Sequence, residues 1–218
     1  MWLCFRYENK KIYIMETSTC NVCGFNGIFL SHRSILNRKC PECKSLERHR
    51  NFADFIKNKN VLHIAPERSI YKLIIEESAL YYPIDKNPTK PFIAKDDLTD
   101  LNIFKNNVFD SVICFHVLEH ILDDIKAIEE IKRVLKNDGL AFISVPINNK
   151  NSFTHIWTDK EINESKKNND WGIAGKFDGH YRTYGEIDFI NLLKKYFKEV
   201  FLSSNKKMTS DDFFICKK

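Results

Sequence analysis

The sequence predicts an α/β fold with an open, mostly parallel sheet, preceded by a small cysteine-rich element. Two observations carry this prediction. From Val61 onward, apolar runs of strand length alternate with stretches whose apolar residues recur at helical spacing, as in parallel sheets with crossover helices. Before that region, four cysteines form two Cys-x-x-Cys pairs. The 218 residues have room for one domain and a small appendage.

The composition is that of a globular chain. Hydrophobic residues make up 43% and aromatic residues 13%, which is enough apolar material for a core. No window approaches the roughly 18 consecutive apolar residues of a membrane helix, and the first residues lack the apolar run of a signal peptide. We therefore expect a cytoplasmic protein with no membrane partner. A formal net charge of +5 does not by itself argue for a nucleic-acid partner.

The cysteine pairs are Cys20 with Cys23 and Cys40 with Cys43, and sixteen residues separate them. This spacing predicts a tetrahedral zinc site, because two residues between ligands let one tight turn aim both thiolates at one ion. Four cysteine ligands leave no open coordination position, so the zinc would be structural and not catalytic. The alternative is four reduced cysteines without metal. We assign residues 1–45 to an N-terminal strand and this element.

The elements of the main domain follow in chain order. Residues 109–117 are apolar almost throughout, as expected for a central parallel strand buried on both faces. The next helix has acidic residues early, basic residues late and Gly139 as its expected stop. Its predicted inward stripe is Leu118, Ile121, Leu122, Ile125, Ile128, Val134 and Leu135. We predict strands over residues 61–65, 79–84, 91–94, 109–117 and 140–146, and helices over 45–58, 69–78 and 118–135.

Polar residues follow several of the predicted strands. They are Glu67, Asp85, Asp97 and His116. Ligands of open parallel sheets bind outside the carboxyl ends of the strands. We therefore expect these side chains to line one crevice.

The run over residues 109–121, which contains Val117-Leu118-Glu119-His120, continues through residues 130–136 to Gly139. This run resembles the class I S-adenosylmethionine-dependent methyltransferases of the small-molecule type. The resemblance implies a Rossmann-like, seven-stranded, mostly parallel sheet, completed by a helix over 184–197 and strands near 198–203 and 213–216. It also implies a methyltransferase domain over residues 46–218.

The same resemblance implies roles for residues at the strand ends. Asp85 would bind the ribose hydroxyls of S-adenosylmethionine, and Asp97 with Leu98 would meet the adenine. A carboxylate suits both positions because each partner is a hydrogen-bond donor. His116 falls beside the methionine end of the cofactor, near the transferred methyl group.

The first loop of the domain departs from the glycine-rich pattern of that family. It reads His63-Ile64-Ala65-Pro66-Glu67, and no glycine occurs between positions 27 and 139. This absence argues against NAD, FAD or a P-loop, whose phosphates need close backbone approach. A subset of these methyltransferases resembles the chain here, with a His-x-Ala-Pro-Glu loop behind a Cys4 element and the tail at residues 45–50. In it, Ala65, Pro66 and Glu67 would contact the cofactor, with Glu67 binding its ammonium group.

Residues 147–183 are too long for an ordinary connection and predict a lid inserted into the domain. Trp157, His180, Tyr181 and Arg182 are its candidate acceptor-binding residues, because the stretch over 179–185 resembles one that faces the cofactor in the same subset. His116 and His180 are the candidate general bases, since imidazole titrates near neutral pH. Alternatively, His116 only lines the pocket and His180 only caps the lid.

Three functions follow from these observations. The first is S-adenosylmethionine-dependent methyl transfer to a small molecule or sugar, for example a surface-glycan precursor. The second is methylation of RNA or protein, because some RNA methyltransferases also carry a Cys4 element. The third is a zinc-stabilised binding protein whose cofactor pocket has degenerated. Neither the acceptor nor the oligomeric state can be read from the sequence.

Overall fold

The protein is described by a computed structural model that covers residues 4–8, 11–15, 17–32, 35–147, 152–161, 179–204 and 212–218. Its N-terminal part contains six short strands that pair as three antiparallel hairpins. Cys20 and Cys23 lie in the turn between β3 and β4, and Cys40 and Cys43 follow β6. The strands are β1 (Cys4–Glu8), β2 (Lys11–Met15), β3 (Ser18–Thr19), β4 (Asn26–Gly27), β5 (Leu30–His32) and β6 (Ile35–Lys39).

The main sheet has seven strands in the order β14-β15-β11-β10-β7-β8-β9. All its strand pairs are parallel except those of β15, which runs antiparallel to both neighbours. The predicted Rossmann-like, mostly parallel seven-stranded sheet is therefore confirmed. Its strands are β7 (Asn60–Ile64), β8 (Leu80–Asp85), β9 (Ala94–Lys95), β10 (Phe109–Phe115), β11 (Leu135–Ser144), β14 (Glu199–Leu202) and β15 (Phe214–Lys217). A two-stranded ribbon, β12 (His155–Ile156) with β13 (Arg182–Thr183), lies outside the sheet.

The described helices are α1 (Glu47–Asn51), α2 (Tyr71–Glu77), α3 (Asp124–Val134) and α4 (Glu186–Tyr196), with 3-10 turns at Ala53–Phe55 and Leu118–His120. Within the parts of the chain that the structure covers, none of the helices has the length and apolar character needed to cross a membrane.

The core lies on both faces of the sheet. Residues of α3 and α4 pack on one face, and residues 52–56 with α2 pack on the other. The central strand β10 contributes to both, because alternate side chains of a strand point to opposite faces. Val112 and Cys114 join the first cluster, and Ile113 and Phe115 join the second.

The helix predicted over residues 118–135 starts later than expected. It begins at Asp124, since the Asp123 side chain caps it by accepting a hydrogen bond from the Lys126 amide at 3.0 Å. The chain before it forms the 3-10 turn. The predicted stripe is therefore wrong at Leu122 and Ile125, which are 71% and 39% exposed.

The expected stop at Gly139 is also wrong. Helix α3 ends at Val134, and Gly139 lies inside β11. A Cβ at Gly139 would lie 3.0 Å from the carbonyl oxygen of Lys136. Close packing of the backbone, and not helix termination, explains this glycine.

Two further elements differ in extent. The helix predicted over 45–58 is reduced to α1 and a 3-10 turn, which together bury Phe52 and Ile56 in the second core cluster. The third strand is displaced to β9, closer to Asp96 and Asp97 than the predicted residues 91–94. This displacement follows from pairing, because Asp85 at the end of β8 aligns with Lys95.

Candidate functional site

A cavity of about 530 Å³ opens at the carboxyl ends of β7, β8, β9 and β10. Its volume is in the usual range for small-molecule sites, roughly 300–1,000 Å³. Among the residues proposed from sequence, those that line it are Ala65, Asp85, Asp97, Leu98, His116 and Tyr181. The parallel topology brings them together, because strand ends far apart in sequence meet at one edge of the sheet.

Asp85 and Asp97 form part of an acidic wall. Asp85 accepts a hydrogen bond from the Asn87 amide at 2.7 Å through Oδ1. Asp97 accepts from the Thr99 amide and hydroxyl through Oδ1, and its Oδ2 lies 3.0 Å from Lys86 Nζ. The Thr99 amide, followed by Lys86, lowers the pKa of Asp97 below its usual value. Asp97 is therefore an ionised group whose two oxygens already have partners.

Asp96 is a cavity residue that the sequence reasoning missed. Its Oδ1 accepts a hydrogen bond from the Asp97 amide at 2.9 Å. Its Oδ2 is buried and has no hydrogen-bond partner among the described residues. Burial also raises the pKa of Asp96. A hydrogen-bond donor of a ligand, such as an amine, could satisfy this oxygen. In the sequence, the pair of carboxylates directly after β9 was the feature that could have identified Asp96.

The opposite wall carries His116, which lies beside the buried Glu119. His116 follows β10 and adopts a left-handed backbone with φ of 55°. Its Nδ1 lies 3.4 Å from Oε1 of Glu119, a carboxylate that is 1% exposed. A buried carboxylate this close to an imidazole can restrict the orientation of the ring. The site therefore contains a group able to accept a proton.

Glu67 lies elsewhere than the resemblance implies. Its Oε1 is 2.7 Å from Arg48 and its Oε2 is 2.9 Å from His49 Nε2. Burial alone would raise the pKa of Glu67, but His49 and Arg48 outweigh it and lower the pKa to about 2. The carboxylate is thus occupied by the tail of the cysteine element. Neither Glu67 nor Pro66 lines the cavity, and Pro66 borders a separate groove beside α2.

The stretch over 179–185 is fixed against the start of α3. The Tyr181 amide donates to the Glu119 carbonyl at 2.8 Å, which joins this stretch to the 3-10 turn. Arg182 is 6% exposed, forms an ion pair with Asp124 and donates to the Leu122 carbonyl. Tyr184 donates to the same Asp124 carboxylate at 2.6 Å. Arg182 therefore packs against the start of α3 and does not line the cavity.

The remaining lid residues lie beside the cavity. The Trp157 side chain donates from Nε1 to Thr183 Oγ1 at 3.2 Å, and Trp157 does not line the cavity. His180 also does not line it, but its ring contacts His120 with centroids 4.6 Å apart. The predicted lid at residues 148–151 and 162–178 lies outside the described residues.

The four cysteines of the N-terminal element converge, with their sulfur atoms within 4.8 Å of one another. Cys20 Sγ lies 3.7 Å from Cys43 Sγ, and Cys23 Sγ lies 3.6 Å from Cys40 Sγ. Tetrahedral zinc with bonds of about 2.3 Å separates its sulfurs by about 3.8 Å, so the arrangement fits this metal.

The two cysteine turns share one geometry. The Gly24 amide donates to the Cys20 carbonyl at 2.8 Å, and the Lys44 amide donates to the Cys40 carbonyl at 3.1 Å. Gly24 and Lys44 both have positive φ, of 75° and 62°. Burial would raise the pKa of Cys20, but hydrogen bonds from Ser45 and two backbone amides lower it to about 7. These donors favour the thiolate form of Cys20, whereas burial raises the pKa of Cys23 and raises that of Cys40 to about 12.

The strand order and the cavity define the class: a Rossmann-like sheet with a ligand pocket and carboxylates after its second and third strands. Residues 60–143 match the model of a family described as a methyltransferase domain. The resemblance noted from residues 109–139 is therefore confirmed, since those residues lie within the matched segment.

The chain is also similar to individual known proteins, over different shares of its length. An uncharacterized protein of Methanocaldococcus jannaschii is 39% identical over 81 residues, which cover 35% of this chain and 36% of that relative. A SAM-dependent methyltransferase from Archaeoglobus fulgidus has a TM-score of 0.55 at 16% identity, over 78% of this chain and 91% of its own. The cyclase SpnF has a TM-score of 0.51 at 11% identity, over 68% and 54%. These structural similarities show the fold alone, because one fold hosts different reactions.

Proposed function

We infer that the protein transfers a methyl group from S-adenosylmethionine to a small-molecule or sugar acceptor. The observation that carries this inference is the cavity, in which carboxylates form one wall and His116 belongs to the other. The methyltransferase-domain match over residues 60–143 supports the choice of cofactor. The activity of the whole chain is a proposal, since the matched relative aligns over about a third of its length.

The cavity residues suit the chemical groups of this cofactor. Asp85 retains an oxygen that can accept from the ribose hydroxyls, since only its Oδ1 is engaged by Asn87. The buried Oδ2 of Asp96 suits the adenine amino group, and Asp97 and Leu98 would flank the ring. Ala65 and His116 would lie at the methionine end. Carboxylates match every one of these donors, and no phosphate has to be accommodated.

Bound S-adenosylmethionine would supply an electrophilic methyl group on a sulfonium sulfur. The protein's contribution is alignment of an acceptor for in-line displacement, which can supply much of the acceleration. An acceptor hydroxyl or amine must lose one proton as its lone pair forms the new bond to carbon. His116 is the side chain that would take that proton, and its Nδ1 lies 3.4 Å from Oε1 of Glu119.

The charges around the site favour a small acceptor over RNA. Asp85, Asp96, Asp97 and Asp123 all line the cavity, so its mouth repels a polyanion. Three described arginines of the cysteine element and its tail are engaged within the protein. Arg38 and Arg48 are each 8% exposed, and Arg50 donates to two backbone carbonyls.

We also infer that Cys20, Cys23, Cys40 and Cys43 bind one structural zinc ion. The sulfur separations of 3.6 and 3.7 Å support this inference, and so do the donors that favour the Cys20 thiolate. Four thiolates leave no position for a substrate, so this ion would stabilise residues 17–45 without entering the reaction.

The cofactor test is the affinity of the zinc-loaded protein for S-adenosylmethionine by calorimetry. Asp85→Ala is expected to weaken binding by about 1–3 kcal/mol through lost hydrogen bonds. Asp138→Ala is the matched control, because Asp138 is 94% exposed and lies before the segment of β11 that pairs with β10. Absence of saturable binding would favour the degenerate-pocket alternative. Unchanged affinity of Asp85→Ala would show that the ribose lies elsewhere.

Turnover is tested with labelled cofactor and a panel of hydroxyl- and amine-bearing small molecules and sugars. Methyl incorporation that is lost in His116→Ala, with cofactor affinity retained, is the expected result. Incorporation into RNA or protein, with none into the panel, would favour the alternative acceptor class.

A further inference from the structure

A second cluster of potential metal ligands lies at the edge of the cavity, apart from the four cysteines. It consists of Glu119, His120 and His180, whose ligand atoms lie within 4.8 Å of one another. Two segments distant in sequence supply them, the 3-10 turn Leu118–His120 and the stretch before β13. The hydrogen bond from the Tyr181 amide to the Glu119 carbonyl, 2.8 Å long, holds these segments together.

Glu119 is a buried carboxylate that lacks an adequate partner. It is 1% exposed, and neither side-chain oxygen accepts a hydrogen bond from any described residue. Its Oε1 lies 3.4 Å from His116 Nδ1, and an imidazole carries charge only when it is protonated. A buried carboxylate is costly unless a cation or hydrogen-bond donors compensate it. A metal ion between Glu119 and the two imidazoles would supply that charge.

The orientation of His120 fits metal binding. Its Nδ1 lies 3.3 Å from the carbonyl oxygen of Gly179. A carbonyl can only accept, so Nδ1 carries the hydrogen and Nε2 keeps the lone pair that a metal requires. Metal-binding histidines commonly donate their other N–H to a backbone carbonyl in this way. The His180 ring meets the His120 ring edge-on, with centroids 4.6 Å apart.

We propose that Glu119, His120 and His180 bind one divalent transition-metal ion at the acceptor side of the cavity. Two imidazoles and one carboxylate suit zinc, iron or cobalt better than calcium or magnesium, which prefer oxygen ligands. Nitrogen and oxygen ligands lie about 2.0–2.2 Å from such ions, so ligand atoms around one ion are about 3–4 Å apart. The ligand atoms of the cluster lie within 4.8 Å of one another, so rotation of the two imidazole rings would suffice to bring them around one ion.

Three protein ligands leave coordination positions open, unlike the four cysteines. His120 lines the cavity, so the open positions would face the space for the acceptor. On the proposed function, the acceptor is therefore a molecule whose oxygen atom can coordinate the ion beside the methyl donor. This last step depends on methyl transfer, whereas metal binding itself does not.

The test is a titration of the full-length, zinc-loaded protein with Co²⁺, followed by absorption and calorimetry. We expect one equivalent to bind with weak visible bands and without the intense near-ultraviolet band of cobalt thiolate. Glu119→Gln and His180→Ala are expected to weaken binding about tenfold or more. His155→Ala is the matched control, because His155 lies in the same lid beside a glutamate, at 3.2 Å from Glu161, but outside the cluster. Thermal melting checks that the Glu119→Gln variant is folded.

The proposal is overturned if Co²⁺ does not bind at millimolar concentration, if it appears only in the thiolate band, or if all three variants bind it equally. The affinity of the same variants for S-adenosylmethionine separates the two proposals. Cofactor binding without a cobalt site rejects only the metal proposal. A cobalt site without cofactor binding rejects only the methyl-transfer proposal.

Discussion

Two residues at the ends of adjacent strands carry backbone strain at the cavity. Ala65 after β7 has φ of 47°, and His116 after β10 has φ of 55°. Both line the cavity, and their strands pair in the centre of the sheet. Non-glycine residues at positive φ cost free energy and concentrate at functional sites. The first loop thus keeps a conformation that suits glycine although the glycine is absent.

Replacing Ala65 by glycine should stabilise the protein. The left-handed conformation costs an L-residue about 1–2 kcal/mol, and the greater freedom of glycine in the unfolded chain offsets part of this gain. We expect Ala65→Gly to raise the free energy of unfolding in urea by about 0.5–1 kcal/mol. The matched control is Ala94→Gly in β9, at an ordinary φ, which should lower it. A loss of stability in both variants would mean that Ala65 is not strained.

His63 makes stability depend on pH. It is fully buried in β7, and its Nδ1 lies 3.1 Å from the Tyr81 hydroxyl. Burial lowers the pKa of His63 to about 4 from 6.5. Between these values the unfolded state binds more protons than the folded state, so stability falls as pH decreases from 6.5 to 4.

His63→Gln should remove this dependence. The wild type is expected to lose about 2 kcal/mol more than the variant between about pH 7 and pH 5, since one pKa unit corresponds to about 1.4 kcal/mol. Urea unfolding of both proteins at each pH measures the difference. Parallel losses in the two proteins would assign the dependence to other groups, such as the cysteine element.

At the scale of elements, the tail of the cysteine element joins the four-cysteine cluster to the loop that follows β7. Ser45 Oγ lies 3.1 Å from Cys43 Sγ, and the Leu46 amide donates to His49 Nδ1 at 3.0 Å. Because Nδ1 of His49 accepts this bond, its Nε2 carries the hydrogen, and Nε2 lies 2.9 Å from Oε2 of Glu67. Ordering of the cysteine turns is thereby connected to the position of Ala65.

Removing zinc should therefore weaken cofactor binding, although no cysteine lines the cavity. We expect chelation to lower the affinity for S-adenosylmethionine severalfold, measured by calorimetry. Arg48→Met should produce a similar loss with zinc present, because it removes the 2.7 Å contact to Glu67. Chelation should then add little to the loss. The control is Glu42→Gln, an exposed change in the same cysteine turn. Fully additive losses would contradict the connection.

The stretch over 179–185 and α3 form a second connection between elements. Asp124, the first residue of α3, forms an ion pair with Arg182 and accepts a hydrogen bond from the Tyr184 hydroxyl. This contact fixes His180 beside His120 and Tyr181 at the cavity. The stretch that resembled an acceptor-binding motif therefore has two parts. Tyr181 lines the cavity, whereas Arg182 and Tyr184 hold the segment against α3.

At the scale of the molecule, strand order places the cavity. In the sheet, β8 lies on one side of β7 and β10 lies on its other side, so the direction of strand succession reverses at β7. The crevice at such a switch point lies outside the carboxyl ends of both strands, which is where open parallel sheets bind ligands. The position of the site is therefore a property of the topology, and its specificity depends on the side chains added there.

The sequence by itself determined the seven-stranded sheet, the spacing of the four cysteines and the placement of Asp85, Asp97 and His116 after strands. The cysteine spacing and the placement of the polar residues after parallel strands follow from local pattern and the rules of parallel topology. The number of seven strands followed from the resemblance to class I methyltransferases. The extents of α1 and α3 were not determined in this way, because tertiary packing and the Asp123 cap set where each helix begins and ends.

Only the tertiary structure decided which partners the polar groups take. Glu67 forms ion pairs with Arg48 and His49 and does not line the cavity. Arg182 forms an ion pair with Asp124, which lies 58 residues earlier in the sequence. The buried oxygen of Asp96 and the cluster of Glu119 with His180 arise in the same way. Side-chain direction at a strand end or in a loop depends on packing against distant elements, and no local periodicity encodes it.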